Sequence, residues 1–230
     1  MDTLPLVAKT SFCCKAFFPK QVSFFIILTS EEYQIMHDIE PYHRWRDYYI
    51  ASEDELSPFF GQKSDEFYYT NKVYNYFIHP QWDDFGSDTL YMKLLFADYD
   101  DHYAIIELIG EWNDCLHNDI MYLKRDVIDP LFKQGIYKYI LIGENVLNFH
   151  GSDDEYYAEW YEDVRDEQGW ICILNTLDHV TDEMKATRLQ YFINFGDAFS
   201  GVNWRPHLPK TVLQMVEKML NSGIKRLREY

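Results

Sequence analysis

Carboxylates are the residues that this chain supplies in clusters, so they set the chemistry to be considered first. Asp98, Asp100 and Asp101 form one acidic turn, and Asp153, Asp154 and Glu155 form another. Hard divalent cations take oxygen ligands of this kind. The two loops therefore define one reading, a metal-dependent hydrolase or small-ligand-binding protein that uses acidic loops 98–101 and 153–155. No EF-hand spacing accompanies them. Glu111 beside Trp112 and Glu159 beside Trp160 pair an acid with an aromatic, as glycosidases do. That chemistry needs two carboxyl groups roughly 5 to 9 Å apart, and with 38 acidic residues and 18% aromatics such neighbours arise by chance. His37 and His43 are six positions apart, which is not one helix face, while His117 and His179 stand alone. HExxH, GxSxG, a Walker loop and GxGxxG are all missing. No residue is assigned as catalytic or metal-binding, and no cofactor is implied.

The segment His150-Gly151-Ser152-Asp153-Asp154-Glu155 carries the other reading. Gly151 permits an unusual backbone angle, and Ser152 or Asp153 can cap the helix that follows, whose first turn favours acids. Recognition loops often sit at such helix starts. In that helix Tyr157, Trp160 and Tyr161 fall on one stripe, with Tyr156 beside it. Aromatics of this type anchor interfaces, and the same stripe equally suits a core.

Composition narrows the partners. A formal charge of −17 repels phosphate backbones and anionic membrane surfaces, which excludes nucleic acid and membrane as expected partners. No apolar run approaches the roughly 20 residues that a bilayer requires. Met1-Asp2-Thr3-Leu4-Pro5 lacks the basic region of a signal peptide. Cys13, Cys14, Cys115 and Cys172 show no CxxC spacing, and adjacent Cys13-Cys14 are poorly placed to pair. The expected location is the cytoplasm.

These residues need elements to hold them. The region 1–86 is rich in aromatics, with a short strand over 22–28 and a helix expected from Thr29 or Ser30 up to Pro41. From 42 to 82 no steady period is found. The turn-rich stretch 83–87 marks a boundary, so that 1–86 packs on a main domain spanning 87–230. There, 89–96 and 102–112 read as an antiparallel hairpin, with Ala104, Ile106 and Leu108 on one face and Tyr103, Ile105 and Ile109 on the other. Leu116, Ile120, Leu123, Val127 and Leu131 recur at helical spacing, kinked by Pro130 and stopped by Gly135. A strand at 137–142, a helix at 154–166, a strand at 170–174, a helix opening at Thr181, a short strand at 191–193 and a helix over 208–227 follow. This order gives an α/β fold with a mixed sheet, its parallel strands joined by crossovers.

Residues about 88–200 resemble a STAS domain, the fold of anti-sigma factor antagonists and of the cytoplasmic ends of sulfate transporters. Ile106-Glu107-Leu108-Ile109-Gly110-Glu111-Trp112 is similar to the family's second strand with its terminal Gly-Glu step. Tyr139-Ile140-Leu141-Ile142 through Asn145 to Asp153 resembles the third strand and its loop, and 170–180 the next strand and turn. The family's loop often reads Phe-x-Asp-Ser-Ser-Gly, with a serine that a partner kinase phosphorylates. Aligned on Phe149, Ser152 matches the first serine and Asp153 the second, usually modified one, while Asp154 replaces the glycine. The resemblance implies a non-catalytic regulatory module that binds a protein partner. The expected contact residues are Ser152, Asp153, Tyr157, Trp160 and Tyr161, on loop 149–155 and the helix after it.

Overall fold

The computed structural model describes residues 26–29, 32–35, 39–65, 68–74 and 76–228. Two short antiparallel pairs precede the main sheet: Ile26–Thr29 (β1) with Glu32–Ile35 (β2), and Lys72–Val73 (β3) with Tyr76–Phe77 (β4). The helix expected after Thr29 is corrected here, since Glu32–Ile35 is a strand paired to β1. Its Tyr and Ile at alternate positions suit a pleated strand better than an acid-capped first turn. Residues 22–25 and the remainder of that expected helix up to 38 lie outside the described residues.

The main sheet runs Leu90–Asp98 (β5), Tyr103–Asn113 (β6), Lys138–His150 (β7) and Trp170–Leu174 (β8), in the spatial order β5-β6-β7-β8. The hairpin of β5 and β6 is antiparallel, and β6–β7 and β7–β8 are parallel. This is a mixed α/β fold. Side chains alternate between two apolar layers, as a period of two requires. Ala104, Ile106, Tyr139, Leu141, Ile171 and Ile173 point into one, and Tyr103, Ile105, Ile140, Ile142, Cys172 and Leu174 into the other. Every residue of β6 is buried, so it is the centre of the molecule. Ile109 faces away from Leu108 as expected, into a third cluster with Val73, Ile78 and Trp82.

The first layer is closed by a broken helix comprising Asp119–Tyr122 (α1), a π-helical stretch at Leu123–Ile128 and Asp129–Lys133 (α2). Pro130 has no N–H to give to a preceding turn, and the wide turns lie directly before it. Leu123, Val127 and Leu131 are buried as their spacing predicts, whereas Leu116 precedes the helix and is exposed. Glu155–Asp166 (α3) and Asp178–Ala186 (α4) complete this layer through Tyr157, Trp160, Val164, Val180 and Met184. Thr181 lies inside α4 rather than at its start, where its hydroxyl bonds Thr176 at 2.7 Å. In place of a strand at 191–193, a single 3-10 turn spans Leu189–Tyr191, and Asn194 bridges to Cys172. Pro209–Arg228 (α5) covers the opposite layer with Val212, Leu213 and Val216, together with Trp45 and Trp204.

The strand expected at 137–142 continues to His150. Past Ile142, β7 pairs with β6 alone, through two register shifts. Glycine is required at one of them. Gly110 has φ of 115°, and a Cβ there would lie 2.2 Å from the Thr89 carbonyl oxygen, a contact that no side chain tolerates.

Candidate functional site

Strands β6 and β7 run parallel and end together at Asn113 and His150. Here the backbone N–H groups of Asp114 and Cys115 both donate to the His150 carbonyl, at 2.8 and 3.2 Å. The chain then crosses residues 151–154 and enters α3.

Gly151 does not adopt the left-handed conformation expected of it. Its role is close approach, because a Cβ would meet Thr187 Cγ2 at 2.6 Å and Phe149 Cε1 at 2.8 Å. Phe149 is also not a loop residue. It is fully buried near the end of β7, with its ring edge-on to Trp112 at 5.9 Å. Beyond it, Ser152, Asp153, Asp154 and Glu155 are all exposed. Asp154 occupies the cap position of α3 and makes no side-chain cap bond, so neither Ser152 nor Asp153 acts as the expected cap.

Of the five residues expected to touch a partner, the structure brings three to the surface. Ser152 and Asp153 are exposed, and Tyr161 is half-buried, edge-on to Phe192 at 6.1 Å with Arg165 over its face. Tyr157 and Trp160 belong to the core, at 1% and 0% exposure. Tyr157 donates to Asp114 Oδ2 at 2.6 Å, and Trp160 lies edge-on to Tyr139 at 5.2 Å. As surface anchors both are corrected. A stripe of large aromatics on a helix that covers a sheet is drawn inward by the apolar area it removes from water.

A polar cluster beside the loop escaped sequence reasoning. Glu111 Oε1 accepts from Asn113 Nδ2 at 3.0 Å and stands 3.3 Å from His150 Nε2. Asn148 donates to the Tyr74 hydroxyl at 3.0 Å. The neighbouring Glu111 carboxylate is the chief influence pushing the Tyr74 phenol up. Tyr74 has φ of 53°, a conformation unusual for a bulky residue and one that costs free energy. In sequence only Glu111 drew notice, paired with Trp112, but their side chains point to opposite sides of β6 and Trp112 is core. The cluster fixes an imidazole and two amides at the carboxyl ends of β6 and β7. The nearby Cys115 thiol is bound to the Gly151 carbonyl at 2.8 Å.

The acidic loops do not combine. Loop 98–101 precedes β6 and loop 153–155 follows β7, so they lie at opposite ends of the parallel pair. Asp98 Oδ1 is occupied by the N–H groups of Asp100 and Asp101 at 3.0 and 2.9 Å, and Asp101 pairs with Lys210 at 2.6 Å. Among the described residues, carboxylates at metal-ligand spacing are Asp129, Glu159 and Asp163. The buried Lys124 ammonium stands against all three, bonded to Asp129, 2.9 Å from Asp163 and 3.5 Å from Glu159. Glu159 also holds Arg125, at 2.6 and 2.7 Å, which removes it as a glycosidase-type acid.

A second polar centre lies on the same face of β6, four residues before Glu111. Glu107 is 1% exposed and accepts the Tyr42 N–H at 2.8 Å. Arg205 approaches it to 3.5 Å and binds Glu144, which also accepts Trp204 Nε1 at 2.8 Å. Burial pushes the Glu107 carboxyl up to about 7, against the opposing pull of the Tyr42 N–H and Arg205. Glu144 falls within the β6–β7 register shift, and the two carboxylates tie Tyr42, Trp204 and Arg205 to the sheet.

No protein-family model matches the chain, and no curated protein matches it. Among solved structures, one from Thermotoga maritima, described as a proposed anti-sigma factor antagonist, aligns with 46% of this chain and 84% of its own length. Identity is 14% and the TM-score 0.35, values at which the likeness carries no argument about function. What the residues themselves define is a mixed α/β domain with an acidic loop at the carboxyl ends of its parallel strands. Among the described residues no helix is long and apolar enough to cross a membrane.

Proposed function

We propose that the chain is a non-catalytic regulatory module of the cytoplasm that binds a protein partner through residues 151–155 and the outer flank of α3. One observation carries the reading. Ser152, Asp153, Asp154 and Glu155 are exposed in succession, and among the described residues their side chains have no partner. In the acidic turn at 98–101, by contrast, Asp98 accepts two backbone N–H groups and Asp101 pairs with Lys210. Here the groups suited to capping α3 leave its first N–H groups open, so the loop presents both carboxylates and backbone donors. A basic protein surface with hydrogen-bonding groups complements it, and Tyr161 adds an amphipathic contact. The free thiols Cys115 and Cys172 suit a reducing compartment. The reading of 1–86 as a region packed on domain 87–230 is supported by Trp45, Ala51 and Phe59, which enter the two main apolar layers.

The test is affinity capture from the native lysate with three baits of equal melting temperature. These are wild type, the triple variant Asp153→Lys/Asp154→Lys/Glu155→Lys, and a control, Asp98→Lys/Asp100→Lys, at the opposite edge. A protein held by wild type and control but lost from the triple variant is the expected result. Equal retention by all three, equal loss from both variants, or an empty capture at low salt overturns the proposal.

A further inference from the structure

A recess of about 250 Å³ opens beside β5, away from the α3 edge. Trp45, Tyr49 and Phe59 form its walls, and Lys93 and Leu94 of β5 lie at its back. Ile50 is exposed at its mouth, and the neighbouring Tyr48 and Phe60 are exposed as well. Large apolar side chains left in water around an aromatic-walled recess are the usual dress of a ligand pocket.

Charge sets the ligand's sign. Three charged side chains line the recess, Arg46, Lys93 and Asp83. Asp83 is consumed by Lys93, whose Nζ donates to Oδ1 at 2.7 Å, and its other oxygen is sealed from solvent. An ammonium has three donors, so Lys93 keeps two, and its side chain is 22% exposed. Arg46 bonds only the neutral Gln81 amide oxygen, and among the described residues no carboxylate pairs with it. In a chain of net charge −17 this is a pocket with one uncancelled positive charge and spare donors. Size sets the rest. At roughly 30 Å³ per water, 250 Å³ is about eight waters, enough for one ring and a short polar group.

We propose that this recess binds a small aromatic carboxylic acid as its anion, with the ring between Trp45, Tyr49 and Phe59 and the carboxylate on Lys93 and Arg46. Planar rings meet such walls offset or edge-on. A carboxylate shared by an ammonium and a guanidinium gains charge-assisted hydrogen bonds in a half-enclosed site. This assignment is independent of partner binding at the α3 edge.

Benzoate, benzamide and benzamidine provide nearly isosteric probes of charge −1, 0 and +1. Their binding to the full chain is measured by saturation-transfer NMR and by Trp fluorescence. Benzoate is expected to saturate, about tenfold tighter than benzamide, with benzamidine weakest. Arg46→Gln, at an exposed position, is expected to weaken benzoate about tenfold and to leave benzamide unchanged. Lys93→Gln combined with Asp83→Asn keeps the buried pair hydrogen-bonded and neutral, and is expected to weaken benzoate likewise. Absence of saturation by benzoate at tens of millimolar, equal affinity for the three probes, or benzoate binding indifferent to both variants overturns the assignment.

Discussion

Tyr157 of α3 donates its hydroxyl to Asp114 Oδ2 at 2.6 Å, joining residues that lie 43 apart in the chain. The other oxygen of Asp114 accepts from Trp112 Nε1 and from the N–H of Ile120, at 3.0 and 2.9 Å. One buried carboxylate thereby fixes the end of β6, the start of α1 and the position of α3. Next to it, Asp119 gathers Ser87, Thr89 and the Asn113 N–H. The acidic loop ahead of α3 takes its place in space from these bonds.

Tyr157→Phe removes a donor from a buried carboxylate, and the expected cost is about 1–3 kcal/mol. Burial already pushes Asp114 up to about 6, while the Tyr157 hydrogen bond is the first influence holding it down. A carboxyl raised in the folded state favours the protonated native form, so its contribution is present below about pH 3.8 and lost as pH rises through about 6. The cost of the variant should therefore be largest above that pH and shrink below it. Urea denaturation across this range reads it, and a pH-independent cost would contradict the assignment.

Trp160 separates size from polarity. Its indole N–H is buried without a hydrogen-bond partner, so Trp160→Phe removes an unsatisfied donor together with some packing. Its expected cost is within about 1.5 kcal/mol. Trp160→Ala leaves a cavity beside Tyr139 and is expected to cost about 3–5 kcal/mol. Thermal melts of the two variants give the comparison, and similar losses would mean that the N–H has a partner.

Glu107 makes the fold sensitive to pH in one direction. Its folded value of about 7 stands above the ordinary value of 4.5, so its favourable contribution is complete below about pH 4.5 and is lost as pH rises through about 7. Glu107→Gln keeps an acceptor for the Tyr42 N–H and removes the titration. The variant should gain up to about 3 kcal/mol over wild type above pH 7 and nothing at pH 4.5. Equilibrium unfolding at the two ends of this window measures the difference, and parallel pH profiles would refute it.

Lys124 bars metal from the three carboxylates around it. Lys124→Met retains the buried stem and removes the charge, at an expected cost of about 1–3 kcal/mol, because its partners keep access to water. Asp163 then lacks its cation, while Asp129 and Glu159 keep only Arg125 on their outer side. Calcium should raise the melting temperature of the variant and leave wild type unmoved, since only a ligand of the native state stabilises it. A calcium shift in wild type would reopen the metal reading.

The sheet was legible where period was legible. Ala104, Ile106 and Leu108 against Tyr103, Ile105 and Ile109 disclosed both faces of β6, and the run at 170–174 disclosed β8. The second half of β7 was hidden because Gly143, Glu144, Asn145 and Asn148 read as a turn. A strand with one partner and two register shifts tolerates such residues. The α3 stripe was visible as a stripe, yet helical spacing cannot tell a core from an interface, and Tyr157 and Trp160 fell on the buried side. Tyr74 gave no local signal, since its place beside Glu111 depends on a fold that brings residue 74 to the end of β6.

Each outer strand of the sheet is met at one point by non-strand chain. Asp83 and Met92 exchange backbone hydrogen bonds at 2.7 and 3.2 Å on the β5 side, and Asn194 bonds Ile171 and Ile173 on the β8 side, each at 2.9 Å. An open row of donors and acceptors would invite another chain to extend the sheet. At these positions the row is already answered, so an incoming strand finds no template there. At those two points the sheet meets its surroundings through side chains and not through open backbone.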